Sequence, residues 1–254
     1  MALVPVGTRR SLHDFLAAGS LPAMHTIKPF RNLRRVYCAG PLFNAAERRE
    51  MHQIADALAA GGFEPFLPHA DGLEFSQVLP ELERRGWEHA AAGRLLHEAI
   101  FALDVYHVLI GCGSLVFNLN GRTPDEGGVA EMTMAWMVGK PVVIYKEDVR
   151  SAIAGRDNPL VIGQTEFAAC ADLEHLAECL DEQIAALDCD ADRDWPVPPR
   201  QSRVLSAGEQ FWQRFERLGV DRPAEPLADW IVELFAAGSC ATAWKSVGER
   251  SQIG

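Results

Sequence analysis

The chain has 254 residues, 48% of them hydrophobic and 23% charged, so it is long enough to bury a core without disulfides or metals and too apolar for general disorder. At roughly 150 residues per domain it holds one large domain, or one domain with an appendage. Its 24 Lys and Arg against 35 Asp and Glu leave a net charge of −11. That argues against a general nucleic-acid or membrane-surface binder, which needs a basic face, and favours a neutral small molecule.

Residues 1–33 show no clear period, carry Arg9, Arg10, Lys28 and Arg31, and read as a partly ordered surface extension. A main domain over 34–189 follows. Arg35–Ala39 is a short strand stopped by Gly40-Pro41, and Asn44 with Glu47 has capping-box spacing. Met51, Ile54, Ala55 and Leu58 predict a helix ended by Gly61-Gly62. Phe63–Phe66 reads as a second strand, 67–80 as a loop, and much of 81–110 as helix. Ser114–Leu119 is a strand, followed by the turn Asn120–Asp125 and a helix from near Gly127 to Gly139. Pro141–Tyr145 is the next strand and Glu166–Ala171 the last. Asp172 then caps a helix carrying Leu173, Leu176, Leu180, Ile184 and Leu187. Strands alternating with helices predict an α/β fold: a flavodoxin-like, doubly wound, mostly parallel sheet with helices on both faces. Residues 190–254 read as a linker, with prolines at 196, 198 and 199, and a helical extension. There Phe211, Trp212, Phe215 and Leu218, then Leu227, Trp230, Ile231, Leu234 and Phe235, form apolar stripes that pack on the main domain or on a second subunit.

No cysteine pair, among positions 38, 112, 170, 179, 189 and 240, has CxxC spacing, and no Cys/His cluster has zinc-ligand spacing. The expectation is reduced, mostly buried thiols in a cytoplasmic protein with no metal and no cofactor. The stretch 105–121 lacks charge but holds His107, Ser114, Asn118 and Asn120, so it is a poor membrane span. Arg9 and Arg10 precede no long apolar run, so no secretory signal is expected. His69, His89, His97 and His107 have no ligand partners at useful spacing and read as surface or satisfied core residues; His69 with Asp71 in PHADG could touch a substrate, but a turn is the simpler reading. Met132, Met134, Trp136 and Met137 read as packing.

The segment 118–140, NLNGRTPDEGGVAEMTMAWMVGK, follows a strand and opens a helix. Asp125 lies in the loop, Gly127 and Gly128 permit close approach of a ligand, and Glu131 comes one turn later. At a helix N-terminus the dipole and free amides favour an ionised carboxylate, ready to act as a nucleophile. A second carboxyl could serve as acid or base if its environment separates the two pKa values. On spacing alone, Asp125 and Glu126 complementing the dipole of a buried helix explains the same residues. The loop Tyr37–Phe43, YCAGPLF, offers a strand Tyr, a flexible Gly and an aromatic to cover a flat ring, or simply a core Tyr and a helix-start Phe.

Together, YCAGPLF, PDEGGVAE and GKPVVIYK resemble the nucleoside 2-deoxyribosyltransferase family over about residues 35–187. The resemblance implies Glu131 as nucleophile, Tyr37 as the group that orients it, and Asp125 as the carboxylate at the sugar hydroxyls. Asp104 then contacts the base and assists its protonation. Gly40, Leu42, Phe43, Asn120, Gly127 and Gly128 would line the nucleoside site, and Asn158 would reach a neighbouring subunit's site. Gly128 stands where the family often has Thr or Ser, and Cys112-Gly113 where it often has Cys-Asp. Neither departure removes the nucleophile.

The implied reaction exchanges the base of a 2′-deoxynucleoside by a retaining double displacement through a deoxyribosyl-Glu intermediate, without metal or cofactor. The implied partners are a nucleoside and a nucleobase, in a homo-oligomer, with no nucleic acid and no membrane. Two other readings stand: an N-glycoside hydrolase of nucleosides or nucleoside 5′-monophosphates, with Arg122 or the basic N-terminus at the phosphate, and a non-catalytic nucleoside-binding module.

Overall fold

The computed structural model describes residues 25–121, 123–150, 157–187, 192–219 and 222–236. Arg9, Arg10, Arg122, Cys189 and Cys240 lie outside them. The elements in chain order are β1 His25–Ile27, β2 Arg35–Ala39, α1 Ala45–Ala60, β3 Glu64–Phe66, α2 Pro68–Asp71, α3 Phe75–Arg84, α4 His89–Tyr106, β4 Ser114–Asn118, α5 Glu126–Met137, β5 Val142–Tyr145, α6 Pro159–Ile162, α7 Leu176–Ala185, β6 Trp195–Val197, α8 Pro199–Phe215 and α9 Ala224–Ile231. A wider π turn, His107–Gly111, extends α4, and another, Val232–Ala236, extends α9.

The main sheet is parallel, in the order β3-β2-β4-β5. Numbered among themselves these strands run 2-1-3-4, the flavodoxin-like order, and the order reverses between β2 and β4. Alternation along each strand sends side chains to opposite faces. Val36, Cys38, Val116, Val143 and Tyr145 pack with Met51, Ile54 and Leu58 of α1 and Leu176 and Leu180 of α7. Tyr37, Ala39, Leu115, Phe117 and Ile144 pack on the other face with α4, α5 and α8 through Leu96, Leu103, Met132, Phe211 and Trp212. The capping box forms as its spacing predicts: Asn44 Oδ1 accepts Ala46 and Glu47 N–H, and Glu47 Oε2 accepts Asn44 N–H. Buried Lys140 donates to Val108 O at 2.7 Å and to Cys112 O, which fastens the π turn after α4 to the strand beside it.

Several elements differ from expectation. Glu166–Ala171 is not a strand, because Glu166 and Phe167 adopt left-handed backbone (φ 55° and 66°). Only Cys170 pairs with the sheet, exchanging bonds with Ile144 O and Lys146 N–H at 2.8 Å each. The segment 67–80 is not a loop: Pro68, with its fixed φ, opens the short α2, and α3 starts at Phe75. Asp172 bonds Glu174 N–H in a turn, and α7 begins later with His175 at its cap. The proposed linker holds β6, and Pro199 is the first residue of α8. β6 pairs antiparallel with β1, so the two segments flanking the main sheet meet, and Ile27 and Phe30 are buried. The C-terminal helices pack on the same chain, α8 along α4 and α9 against α3. On α5, Met132 is buried, but Trp136 and Met137 are 47% and 60% exposed, so those two do not serve the core.

Among the described cysteines, 38, 112, 170 and 179 are free thiols, the first three buried. No group of metal-ligating side chains, and no helix long and apolar enough to cross a membrane, occurs among the described residues.

Candidate active site

At the reversal between β2 and β4, beyond the carboxyl ends of the strands, lies a cavity of about 420 Å³. Such a crevice is where open α/β sheets bind ligands. The loop after β2 contributes Gly40, Leu42 and Phe43, and α4 contributes Ile100 and Asp104. The start of α5 contributes Asp125 and Glu131, and the segment after β3 contributes Pro68, His69, Leu73, Glu74 and Phe75.

Tyr37 sits on β2 under this cavity, fully buried, and its hydroxyl donates to Glu131 Oε1 at 2.7 Å. The Tyr37 ring stacks on Phe66 with centroids 5.7 Å apart, which fixes the direction of the hydroxyl. Gly40 is required where β2 ends: its φ is 153°, and a Cβ there would come 2.9 Å from Asn118 Cβ and from Met51 Sδ. Asp125 caps α5, its Oδ2 accepting Gly128 N–H at 2.6 Å. It performs the capping that the simpler reading of this segment assigns to it, and it also lines the cavity. Gly128 does not line it. A Cβ at Gly128 would lie 2.5 Å from Phe117 Cε2, so the glycine lets α5 lie close on β4 and sets the depth of Glu131.

The helix dipole does not keep Glu131 ionised. Glu131 is the sixth residue of α5, past the free amides of the first turn, one of which Asp125 accepts. Burial dominates instead and raises Glu131 to about 8, with the nearby Asp104 charge pushing the same way and the Tyr37 hydrogen bond opposing. Burial likewise raises Asp104 to about 7, against the influence of the Tyr37 hydroxyl. Tyr37 is pushed well above its ordinary value by burial and then by the Glu131 and Asp104 charges, so it stays a donor. Two carboxyl groups therefore titrate near neutrality beside a fixed phenol, an arrangement suited to a nucleophile and a proton donor.

The structure brings together Tyr37, Gly40, Leu42, Phe43, Asp104, Asp125 and Glu131. It does not bring Asn120, Gly127 or Asn158 into this cavity. Asn120 donates to Glu50 Oε1 at 2.6 Å and accepts Glu147 and Asp148 N–H at 3.0 Å each, so its amide ties two loops together. Asn158 Oδ1 accepts Leu160 N–H at 2.9 Å at the start of α6 and lines a separate cleft with Lys146 and Asp157.

The histidines divide. His89 contacts Glu83 at 2.6 Å and His97 contacts Gly93 O at 2.7 Å. His69 and His107 are neither surface nor satisfied: both ring nitrogens of each are buried without a hydrogen-bond partner among the described residues. His107 is packed between Phe66 and Trp212, with centroids at 3.9 and 4.3 Å, and burial lowers its pKa to about 2. His69 is a cavity residue held neutral, its pKa lowered first by burial and then by His52. Sequence reasoning reads His69 as part of a turn, and Glu74, Phe75 and Ile100 escape it. The signal for the first three is position, since the PHADGLEF segment follows β3 as GPLF follows β2.

A family model described as nucleoside 2-deoxyribosyltransferase matches residues 36–190. No curated protein matches the chain. The crystal structure of a conserved protein from Enterococcus faecalis V583 is similar at 21% identity, over 59% of this chain and 98% of that one, with a TM-score of 0.41. With the model matching well over half its length, the chain belongs to the nucleoside 2-deoxyribosyltransferase family, a family of glycosyl-transfer enzymes acting on nucleosides.

Proposed function

We propose that the protein exchanges the base of a 2′-deoxynucleoside through a covalent deoxyribosyl intermediate on Glu131. The observation that carries this reading is the 2.7 Å bond from the Tyr37 hydroxyl to Glu131 Oε1 inside a cavity shared with Asp104 and Asp125. Tyr37 holds one carboxylate oxygen and leaves Oε2 to attack C1′. The C1′–N bond breaks with its electron pair going to the base, and Asp104 supplies the proton that the leaving base takes up. The Glu131–C1′ ester is then opened by a nitrogen of the incoming base, which returns a proton to Asp104 and restores the original configuration. Asp125 Oδ2 is held by Gly128 N–H, which leaves Oδ1 for a sugar hydroxyl. Phe43, 77% exposed at the rim, covers one face of the base.

A neutral nucleoside suits the site better than a monophosphate. Among the described residues the cavity is lined by Glu74, Asp104, Asp125 and Glu131, and by no Lys or Arg. Homo-oligomerisation belongs to the same reading. The exposed Phe101, Trp136 and Met137 support it, and sedimentation velocity tests it.

The decisive experiment incubates the protein with a deoxynucleoside donor and a different free base, beside Glu131→Ala, and separates the products by chromatography. A new deoxynucleoside is expected from the wild type, with the rate falling on the order of 10³-fold or more in the variant. Free base without a new nucleoside would make the protein a hydrolase. Binding without turnover in the intact protein would make it a nucleoside-binding module.

A further inference from the structure

The family match ends at residue 190, yet one wall of the cavity is held by residues beyond it. That wall is built on α2, a four-residue turn. The turn is closed at its start by Asp71 Oδ2, which accepts Leu67 N–H at 2.7 Å. The turn's own bonds end on Leu67 O and Pro68 O. The carbonyls of Ala70 and Asp71 project beyond it, as the last carbonyls of any helix do. Arg222, between α8 and α9, donates Nη1 to both, at 3.2 and 3.1 Å. A cation at the C-terminal end of a turn is also favoured by its dipole. The guanidinium lies 4.3 Å from the centroid of buried Phe215, and its Nε donates to Gly219 O, so its plane is fixed before it meets α2. The backbone of the same residue reaches the other side of the wall, where Arg222 O accepts from Gln77 Nε2 on α3.

We propose that Arg222 is a positioning residue for the nucleobase end of the cavity. By holding the Ala70 and Asp71 carbonyls and Gln77, it sets where His69, Glu74 and Phe75 stand. This rests on the function proposed above, which puts the sugar at Glu131 and Asp125 and leaves the rest of the cavity, with His69, Glu74 and Phe75, to the base. The extension beyond residue 190 then completes the site, although none of its described residues lines the cavity. Tyr37 and Glu131 stand on β2 and α5, which Arg222 does not touch. Loosening the wall therefore weakens base binding and leaves the chemistry intact.

The test uses the full chain, with Arg222→Ala, Arg222→Lys and, as a control, Arg214→Ala. The control removes the ion pair with Glu233 at 2.7 Å, which joins α8 to the turn after α9 away from the wall. Kinetics are measured with the acceptor base varied, and hydrogen exchange is followed by mass spectrometry in the peptide covering 67–75. Arg222→Ala is expected to raise the KM for the base about tenfold with kcat within about twofold. Exchange in 67–75 is expected to quicken about tenfold. Arg222→Lys, which keeps a cationic donor, recovers most of both, and Arg214→Ala leaves both unchanged. Wild-type KM and exchange in Arg222→Ala would overturn the proposal. So would the same two changes in Arg214→Ala, since they would then reflect general loosening of the extension. If the wild type exchanges no base, the proposed function fails, and the exchange measurement still decides whether Arg222 holds the wall.

Discussion

At Glu131 the proposed mechanism makes two demands that conflict. A nucleophile must be ionised, yet burial and the neighbouring Asp104 raise this carboxyl to about 8, while Asp104 itself titrates at about 7. The two exchange protons as a pair, and the productive state of that mechanism carries one proton, on Asp104, with Glu131 ionised. A second proton silences the nucleophile, and loss of the last one leaves the base without a donor. A bell-shaped profile of kcat/KM follows, with its top near pH 7 to 8 where these carboxyls titrate. Asp104→Asn cannot hold the proton. Its residual activity is expected to keep the acid limb near its wild-type place, because Asp104 carries no charge in the productive state, and to lose the alkaline limb. An alkaline limb that survives would show that Asp104 does not supply the proton. Stability carries the opposite sign. The fold favours protonated Glu131, whereas the unfolded chain ionises it near 4.5, so stability present below that pH is lost as the pH rises to about 8. Glu131→Gln cannot ionise and still accepts from Tyr37. Its thermal midpoint is expected to match the wild type near pH 4 and to exceed it increasingly up to pH 8, the reverse of its effect on turnover.

At the scale of elements, α5 shows how a packing residue sets a chemical one. Gly128 is buried, and any Cβ there meets the Phe117 ring at 2.5 Å. Gly128→Ser must push α5 off β4. We expect a loss of about 1–3 kcal/mol in stability and a fall in kcat as Glu131 leaves the Tyr37 hydroxyl, measured by denaturant unfolding and by turnover. The same elements show what the sequence could disclose. The capping box at Asn44, the strand periods and the Asp125 to Glu131 spacing are local patterns, and each forms within a few residues of its expected place. The roles of Tyr37 and Asp104 came only from family resemblance, because a Tyr in a strand and an Asp in an apolar helix have no local signature of function. The wall at Glu74 and Phe75 escapes the sequence, and His69 reads as part of a turn, because the apolar period is broken by Pro68 and Gly72, which hide two helices in what reads as a loop. The strand expected at Glu166–Ala171 failed because its left-handed turn uses Glu and Phe rather than Gly or Asn, the residues that announce such a turn.

Across the whole molecule the net charge is −11, and part of the acidic excess lies where it matters for substrate choice. Four carboxyl groups line the cavity, and the described part of the chain puts no Lys or Arg among them. Burial lets two of them, Asp104 and Glu131, stay partly protonated near neutrality, so an uncharged nucleoside meets little penalty. A 5′-phosphate adds a charge of about −1.5 to −2 at pH 7. Each unit of it, about 8 Å from one carboxylate, costs roughly 2 kcal/mol at an effective dielectric of about 20, and roughly 1.4 kcal/mol is already tenfold in affinity. The deoxynucleoside is therefore expected to exceed its 5′-monophosphate by more than about tenfold in kcat/KM at low ionic strength. The gap should narrow at about 0.5 M salt, as the Debye length contracts toward the size of the cavity mouth. It should also widen with pH, because Glu131 and Asp104 gain charge through the range from about 7 to 8. Competition assays with paired nucleoside and monophosphate donors across salt and pH read both trends in one series. Equal use of the two donors, unaffected by salt, would mean that the carboxyl-lined cavity does not meet the 5′ end of the sugar, and would move the substrate's orientation in the site.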